Sequence, residues 1–262
     1  MLRSAARSGW YTLTASVELA SLPNGLKLYT ESPTEAEYLY KEMYEHGCYD
    51  SFSLPEDPFV LDVGANIGMF SLYTKQRYPT AEIIAFEPIP VTRDILKRNI
   101  ALHELTGIRV EDCALGAKSE NDVPFTHYPR LPGNSTRYPE QKQLQIEVCL
   151  RLYPWDDTIE QHQGYEVRVP VDRLSRRLPA GRRVDLLKVD VEGAEYEVLA
   201  GVDEADWPRI DRLIVEVQDL DGRLDLICRF LRERGYRTEV GPSPMVEEEI
   251  LTFLVTAVRE GA

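Results

Sequence analysis

The segment from Phe59 to Gly68 constrains the fold of this chain more than any other. Five residues, four of them apolar, run from Phe59 to Val63 and lead into a turn that contains Gly64, Asn66 and Gly68. This pattern predicts a buried strand that turns sharply into a helix. In α/β proteins such a turn is where nucleotide-like cofactors are held.

A second apolar strand is predicted from Ala81 to Phe86, and it ends at Glu87. An acid at this place can accept hydrogen bonds from the hydroxyl groups of a ribose. The glycines Gly64 and Gly68 do not match the dinucleotide fingerprint, which needs three glycines for close approach to a pyrophosphate. S-adenosylmethionine has a carboxylate and a ribose but no phosphate, so a helix N-terminus and an acid suit it better. A nicotinamide-dependent oxidoreductase is the disfavoured alternative.

Composition excludes several classes of protein. The chain has 262 residues and a formal net charge of −14, so it should repel nucleic acids and anionic lipid at long range. Its four cysteines are scattered, which argues against a disulfide framework and against a zinc site, and favours a reducing compartment. We find no apolar run of roughly 18 residues and no secretory signal in the sequence. A cytoplasmic protein without a membrane or nucleic-acid partner is therefore expected.

Three regions differ in their patterning. Residues 1–56 are expected to form an N-terminal cap, with a hairpin at 17–20 and 26–29 and a helix at 33–44. From residue 57 strands and helices alternate, which predicts a parallel, doubly wound sheet. The segment 117–170 breaks this alternation and contains a loop rich in Pro, Gly and Asn at 128–139, followed by a stretch that is helical at best in part. Inserted loops of this length commonly act as lids, although a plain surface excursion is the alternative.

Further strands are predicted from residue 183 to Val189, from Ile214 to Val217 and near the end of the chain. The late segments 236–240 and 251–258 should pair antiparallel, because too few residues separate them for a crossover helix. Helices are predicted at 70–77, 91–102 and 224–234, and a strand at 108–111.

An ordered set of motifs resembles the FkbM family of S-adenosylmethionine-dependent methyltransferases. The most specific motif runs from Leu187 to Glu195, and the resemblance covers most of residues 59–220. The other matching motifs are Leu61–Gly68, Phe86–Pro88, Ala114–Gly116 and Val215–Val217. Residues 34–44 and 132–135 also resemble the O-methyltransferases of polyketide and nonribosomal-peptide assembly lines.

The resemblance implies a class I methyltransferase fold, a Rossmann-like, doubly wound seven-stranded sheet with an antiparallel last strand. A single methyltransferase domain would span residues 57–262, with the lid inserted at about 117–170. S-adenosyl-L-methionine would be the cofactor. The residues expected to bind it are Asp62, Gly64, Ala65, Asn66, Gly68, Glu87, Asp112, Cys113 and Asp190.

Methyl transfer to an alcohol requires a base near the acceptor hydroxyl. The catalytic candidates are Glu216, Asp190, Gln218 and His127. Assembly-line relatives usually have a histidine where this chain has Gln218, and glutamine does not accept a proton at neutral pH. Either another of these groups is the base, or the acceptor is an acidic enol, phenol or carboxylate. Asp190 could instead simply anchor Lys188.

The acceptor pocket is expected to involve the lid. The candidate substrate-binding residues are Tyr128, Asn134, Ser135, Tyr138 and Glu192. We expect an O-methyltransferase that acts on a small-molecule natural product or on a carrier-bound acyl or peptidyl intermediate, and an acyl carrier protein is then a candidate partner. An arginine concentration at 168–183 offers a basic patch for it, or is simply a solvated connection. No metal site is predicted, and the oligomeric state is open. The alternatives are an inactive cofactor-binding scaffold and an N- or sugar O-methyltransferase.

Overall fold

The apolar run from Phe59 to Val63 forms an interior strand of a seven-stranded sheet, and every one of its residues is buried. Strands of parallel sheets are covered on both faces, which explains why this segment is apolar nearly throughout and does not alternate. The computed structural model describes residues 16–154 and 157–261. The part of the predicted N-terminal cap before residue 16 lies outside the described residues.

The strands and helices follow one another as the alternating pattern predicts. The strands are β1 (Glu18–Ser21), β2 (Lys27–Thr30), β3 (Phe59–Val63), β4 (Glu82–Phe86), β5 (Ile108–Glu111), β6 (Ala114–Leu115), β7 (Glu120–His127), β8 (Tyr165–Asp172), β9 (Leu186–Val189), β10 (Arg212–Gln218), β11 (Tyr236–Pro242) and β12 (Thr252–Arg259). The helices are α1 (Pro33–Tyr40), α2 (Met69–Arg77), α3 (Pro90–Leu102), α4 (Gln143–Leu152), α5 (Thr158–Gln161), α6 (Leu174–Arg177), α7 (Glu195–Ala200) and α8 (Arg223–Arg232). Within the described ranges, no helix is long and apolar enough to cross a membrane.

The main sheet has the strand order β11-β12-β10-β9-β3-β4-β5. Its strands β10, β9, β3, β4 and β5 run parallel to one another, and β12 runs antiparallel to both of its neighbours. The prediction of a doubly wound α/β sheet with an antiparallel last strand is confirmed. The carboxyl ends of the parallel strands lie at one edge, so the residues that follow them are brought together there.

The middle segment differs from the sequence-based prediction of a long loop. Strands β6, β8 and β7 form a separate three-stranded sheet, and α4 is a ten-residue helix where only partial helix was expected. In β8, Val169 and Val171 are buried and alternate with exposed positions, which is the pattern of a strand covered on one face. The two prolines within β7 and β8 obscured that alternation in the sequence.

The N-terminal region packs onto the sheet. The predicted hairpin is confirmed, since β1 and β2 pair antiparallel. Helix α1 begins after Ser32, whose side chain accepts a hydrogen bond from the backbone N–H of Glu35, and it continues into a π-helical turn at Lys41–Glu45. Ala36 and Met43 share a buried apolar cluster with Val60 of β3 and with Ile67 of the turn at the carboxyl end of this strand. This packing places one face of α1 beside the carboxyl ends of the strands.

Candidate functional site

The turn after β3 has a left-handed backbone at three positions, Gly64 (φ 79°), Asn66 (φ 49°) and Gly68 (φ 93°). A Cβ atom on Gly64 would lie 1.8 Å from the carbonyl oxygen of Asp190, so only glycine fits there. Gly68 is the residue that precedes the first turn of α2. Gly64 is thus fixed by the close approach of the chain after β9 as well as by the turn, and Gly68 by Leu96 of α3.

Glu87, at the end of β4, holds the turn in place. One carboxylate oxygen accepts a hydrogen bond from the backbone N–H of Asn66 at 2.9 Å, and the other accepts one from Ile89 at 2.8 Å. Burial raises the pKa of Glu87 to about 7, although these two backbone hydrogen bonds act in the opposite direction. Each oxygen retains a lone pair for a further donor.

Asn66 connects the turn to the N-terminal helix. Its Nδ2 donates to Glu35 Oε1 at 3.0 Å, and the same oxygen accepts the backbone N–H of Gly133 at 2.9 Å. Burial raises the pKa of Glu35 to about 8. Asn66 Oδ1 is buried, and in the part of the chain that the structure describes it has no hydrogen-bond partner. The turn therefore holds a buried acceptor that lacks a donor.

Lys188 of β9 is the cation at the centre of this edge. Its ammonium group lies 3.5 Å from Asp62, lies 3.3 Å from Asp190 and donates to the Gly64 carbonyl at 2.7 Å. Burial alone would lower the pKa of Lys188, but the charges of Asp190 and Asp62 hold it above the ordinary value. Asp62 also accepts a hydrogen bond from Ser71 at 2.7 Å. Asp190 therefore anchors Lys188, as the alternative to a catalytic role for Asp190 predicted.

The turn after β9 has a left-handed backbone at Glu192 (φ 56°) and Gly193 (φ 110°). The lid reaches this turn, because Thr136 donates to the Glu192 carbonyl at 2.6 Å and the buried Lys142 forms an ion pair with the Glu192 side chain. Burial raises the pKa of Glu192, and the charge of Lys142 opposes this. The lid is thereby fastened to the carboxyl end of β9.

Two of the catalytic candidates lie on β10. Glu216 accepts a hydrogen bond from Ser243 at 2.9 Å, and its pKa is well above the ordinary value because of burial and the charges of Asp190 and Glu42. Gln218 donates to the carbonyl of Ile250 at 3.2 Å, so its amide contacts the backbone near β12.

His127 is the last residue of β7 and is completely buried. Its Nδ1 lies 2.9 Å from Ser135 Oγ. Its Nε2 lies 3.2 Å from a carboxylate oxygen of Glu31, an ion-pair distance, although the geometry is not that of a hydrogen bond. The structure thus brings together two residues that were predicted separately, and it adds Glu31.

The remaining residues that were predicted to bind substrate or cofactor are spread over the lid, the turn after β3 and the end of β5. Tyr128 is buried with its ring against His162, and Asn134 contacts Gln145 at 3.3 Å. The hydroxyl of Tyr138 donates to Glu197 at 3.2 Å. Ala65, with its backbone N–H bonded to the Phe86 carbonyl, belongs to the turn after β3, whereas Asp112 is exposed and Cys113 buried just beyond β5.

The arginines concentrated at 168–183 are paired with acidic side chains. Arg173 pairs with Asp203, and Arg177 pairs with both Asp172 and Glu111. Arg168, Arg176, Arg182 and Arg183 also have acidic partners. Among the described residues, no group of three or more His, Cys, Asp or Glu side chains is arranged to hold a metal ion.

The N-terminal helix contributes residues that the sequence analysis missed. Glu35, Tyr38 and Glu42 are separated by three and four positions, the spacing that places side chains on one helix face. Burial raises the pKa of Tyr38 above its ordinary value, and the charges of Glu42 and Glu216 act in the same direction. The helical spacing of Glu35, Tyr38 and Glu42 was the signal that was available in the sequence.

Comparison with known proteins gives a consistent result. The methyltransferase FkbM domain matches residues 62–238. Methyltransferase sdnD of Sordaria araneosa is 44% identical over 224 residues, covering 80% of this chain and 86% of the relative. The 31-O-demethyl-FK506 methyltransferase FkbM of Streptomyces tacrolimicus is 34% identical over 245 residues, covering 87% of this chain and 92% of the relative.

A solved structure supports the fold. The crystal structure of methyltransferase FkbM from Methylobacillus flagellatus KT matches with a TM-score of 0.53 at 14% identity, covering 86% of this chain and 51% of that chain. Sequence and fold agree: the chain belongs to the FkbM family and is a methyltransferase.

Proposed function

We propose that this methyltransferase transfers a methyl group from S-adenosylmethionine to a hydroxyl group of a polyketide or peptide natural product. The observation that carries the proposal is the buried Oδ1 of Asn66 in the turn after β3, which has no hydrogen-bond partner among the described residues. Leaving a buried acceptor without a donor costs about 1–3 kcal/mol. The ammonium group of the cofactor is a donor that would remove this cost, so the residues of the turn fit the cofactor.

The residues that would hold the cofactor lie along the edge formed by β3, β4 and β5. Gly64, Ala65 and Asn66 would contact its methionine part, and Glu87 has free lone pairs for the ribose hydroxyls. Asp112 would lie on the adenine side. When bound, the cofactor supplies an activated methyl carbon. The protein aligns the acceptor oxygen, excludes water and receives the hydroxyl proton.

The relatives support the proposed acceptor class. One relative is named as a methyltransferase of 31-O-demethyl-FK506, which favours an oxygen acceptor in a secondary metabolite. We propose that residues 16–56 cap the acceptor pocket and that Ser135 and Tyr138 of the lid help to line it. Since the arginines at 168–183 are paired with acids, a free small molecule is favoured over an acceptor that needs carrier docking on that patch.

Incubation of the protein with methyl-labelled S-adenosylmethionine and a panel of hydroxylated polyketides and peptides tests the proposal. The expected result is label on an acceptor oxygen together with S-adenosylhomocysteine. Matched amino analogues of the acceptors distinguish O- from N-methylation. Binding of the cofactor without transfer to any acceptor would favour the scaffold alternative, and a nicotinamide in the ligand mass spectrum would favour the oxidoreductase.

A further inference from the structure

Glu42 of the N-terminal region has an unusual backbone setting. It lies in the π-helical turn Lys41–Glu45, immediately after α1, and its residue surface is only 5% exposed. Single π-helical turns occur frequently at functional sites, because the extra residue shifts the direction of the side chains. The neighbouring Glu45, in the same turn, is exposed. One acid of this turn therefore points into the protein and the other into solvent.

Glu42 also differs from the other buried acids at this edge of the sheet, because its carboxylate lacks a partner in the part of the chain that the structure describes. Asp190 contacts Lys188 and Glu192 contacts Lys142, while Glu216 accepts a hydrogen bond from Ser243. Glu35 and Glu87 accept two hydrogen bonds each. Within the described residues, the Glu42 carboxylate has no hydrogen bond and no ion pair.

The charges around Glu42 disfavour its ionised form. Burial raises the pKa of Glu42 to about 8, the charges of Asp190 and Glu192 raise it too, and Lys188 alone acts in the opposite direction. A proton acceptor works best when its pKa is close to the working pH. The titratable groups that face Glu42 are Tyr38, Cys48, Tyr49, Lys188, Asp190, Glu192 and Glu216.

We propose that Glu42 is the general base of the methyl transfer, an inference that rests on the proposed function. The hydroxyl proton of the acceptor passes to the Glu42 carboxylate while the acceptor oxygen bonds to the methyl carbon. The carbon–sulfur bond breaks, its electron pair stays on sulfur, and Glu42 later releases the proton to water. The base thus comes from the π-helical turn after α1 and not from the sheet. This explains how the reaction can proceed although Gln218 does not accept a proton.

The first test compares Glu42→Gln with wild type across pH. Wild-type kcat should rise with pH and level off above the pKa of Glu42. In Glu42→Gln, kcat should fall by about 100-fold or more and this rise should disappear, while the affinity for S-adenosylhomocysteine stays unchanged. Glu42→Asp should restore part of kcat. Glu45→Gln, on the exposed side of the same turn, should behave as wild type.

Two outcomes of this test overturn the inference: Glu42→Gln keeps the wild-type kcat, or it loses activity and retains the same pH rise. If wild type methylates no acceptor, the proposed function fails instead, and the two failures are distinguishable.

The second test uses the protein without cofactor. The unfolded chain releases the Glu42 proton near its ordinary pKa of 4.5, whereas the folded protein keeps it to about 8. Ionised Glu42 therefore destabilises the fold increasingly between these values. The melting temperature of Glu42→Gln should exceed that of wild type at pH 8, and the difference should shrink towards pH 5. A difference independent of pH would contradict the inference.

Discussion

The two ends of the parallel strands are built differently, and β4 shows the contrast within one strand. At its amino end Glu82 is exposed, pairs with Arg182 at 3.0 Å and borders an open cleft of about 350 Å³ lined also by Phe59 and Arg109. At the carboxyl end Glu87 is buried and holds the turn after β3. The cleft of about 350 Å³ therefore lies at the end of β4 where the acid is exposed, and the buried acid lies at the other end.

This difference shows which property marks the candidate site. A cleft between loops forms wherever packing is incomplete, whereas a buried acid with a raised pKa is unfavourable for stability and persists only where surrounding structure or function maintains it. We therefore place the site at the carboxyl ends, where ligands bind in open α/β sheets.

The largest difference between the ends should come from their cations. Lys188→Met would leave Asp62 and Asp190 without their buried partner, and we expect the free energy of unfolding to fall by about 3–5 kcal/mol. Arg182→Met removes an ion pair at the exposed end, and we expect about 0–1 kcal/mol. Urea unfolding of both variants measures this. Equal losses of unfolding free energy in the two variants would show that the carboxyl end depends on its charges no more than the amino end does.

Next in size is the effect of the close approach between β3 and β9. Gly64→Ala would force a Cβ atom against the Asp190 carbonyl oxygen at a positive φ, and we expect a loss of about 2–4 kcal/mol. Gly222 has a similar φ of 76°, but no atom of the described residues lies within 4 Å of a Cβ atom placed on it, so Gly222→Ala should cost about 1–2 kcal/mol. The same urea titrations compare the two. If Gly222→Ala lowers the free energy of unfolding as much as Gly64→Ala does, the close contact between residue 64 and the Asp190 carbonyl oxygen is contradicted.

Glu35 provides a pH-dependent test of the bridge between α1 and the turn. Glu35→Ala leaves the Gly133 N–H and Asn66 Nδ2 without their acceptor, which should cost about 1–3 kcal/mol. Because the folded protein keeps the Glu35 proton to about pH 8 and the unfolded chain releases it near 4.5, wild type loses stability as pH rises between these values.

The loss caused by Glu35→Ala should therefore be larger at pH 5 than at pH 8, as measured by thermal unfolding at both pH values. Glu37→Ala, at an exposed position of the same helix, serves as the control and should change little at either pH. A Glu35→Ala loss that increases with pH would show that Glu35 is ionised in the folded protein.

The smallest effect is expected at the open cleft. Glu82→Gln removes one exposed carboxylate, and the free energy of unfolding should change by no more than about 0.5 kcal/mol. Differential scanning calorimetry is sufficient to detect a larger change. A loss comparable to that of Lys188→Met would mean that the amino end also depends on its charges.

The sequence predicted the sheet well because its strands carry strong local signals. β3 and β4 are apolar runs that end at Gly64 and Glu87, and the late hairpin of β11 and β12 follows from the short distance between them. The strands β7 and β8 were missed because Pro124 and Pro170 interrupt their alternation and because their partners are distant in sequence.

The site was predicted only in part, for a similar reason. Asp190 follows β9 and Glu216 lies near the carboxyl end of the neighbouring parallel strand β10, so their proximity could be expected from topology. Glu35 and Glu42 reach the same place through the packing of α1 on the sheet, which no local pattern specifies. The partner of His127 was missed as well, since Glu31 is far from it in the chain.

The most direct test of the site's location is calorimetric titration of S-adenosylhomocysteine into wild type, Glu87→Gln and Glu82→Gln, which change the two ends of β4. We expect binding by wild type and Glu82→Gln with equal affinity, and at least about tenfold weaker binding by Glu87→Gln, since a charge-assisted hydrogen bond contributes about 1.5–3 kcal/mol. Absence of binding by wild type, or a loss confined to Glu82→Gln, would contradict the placement of the site at the carboxyl ends.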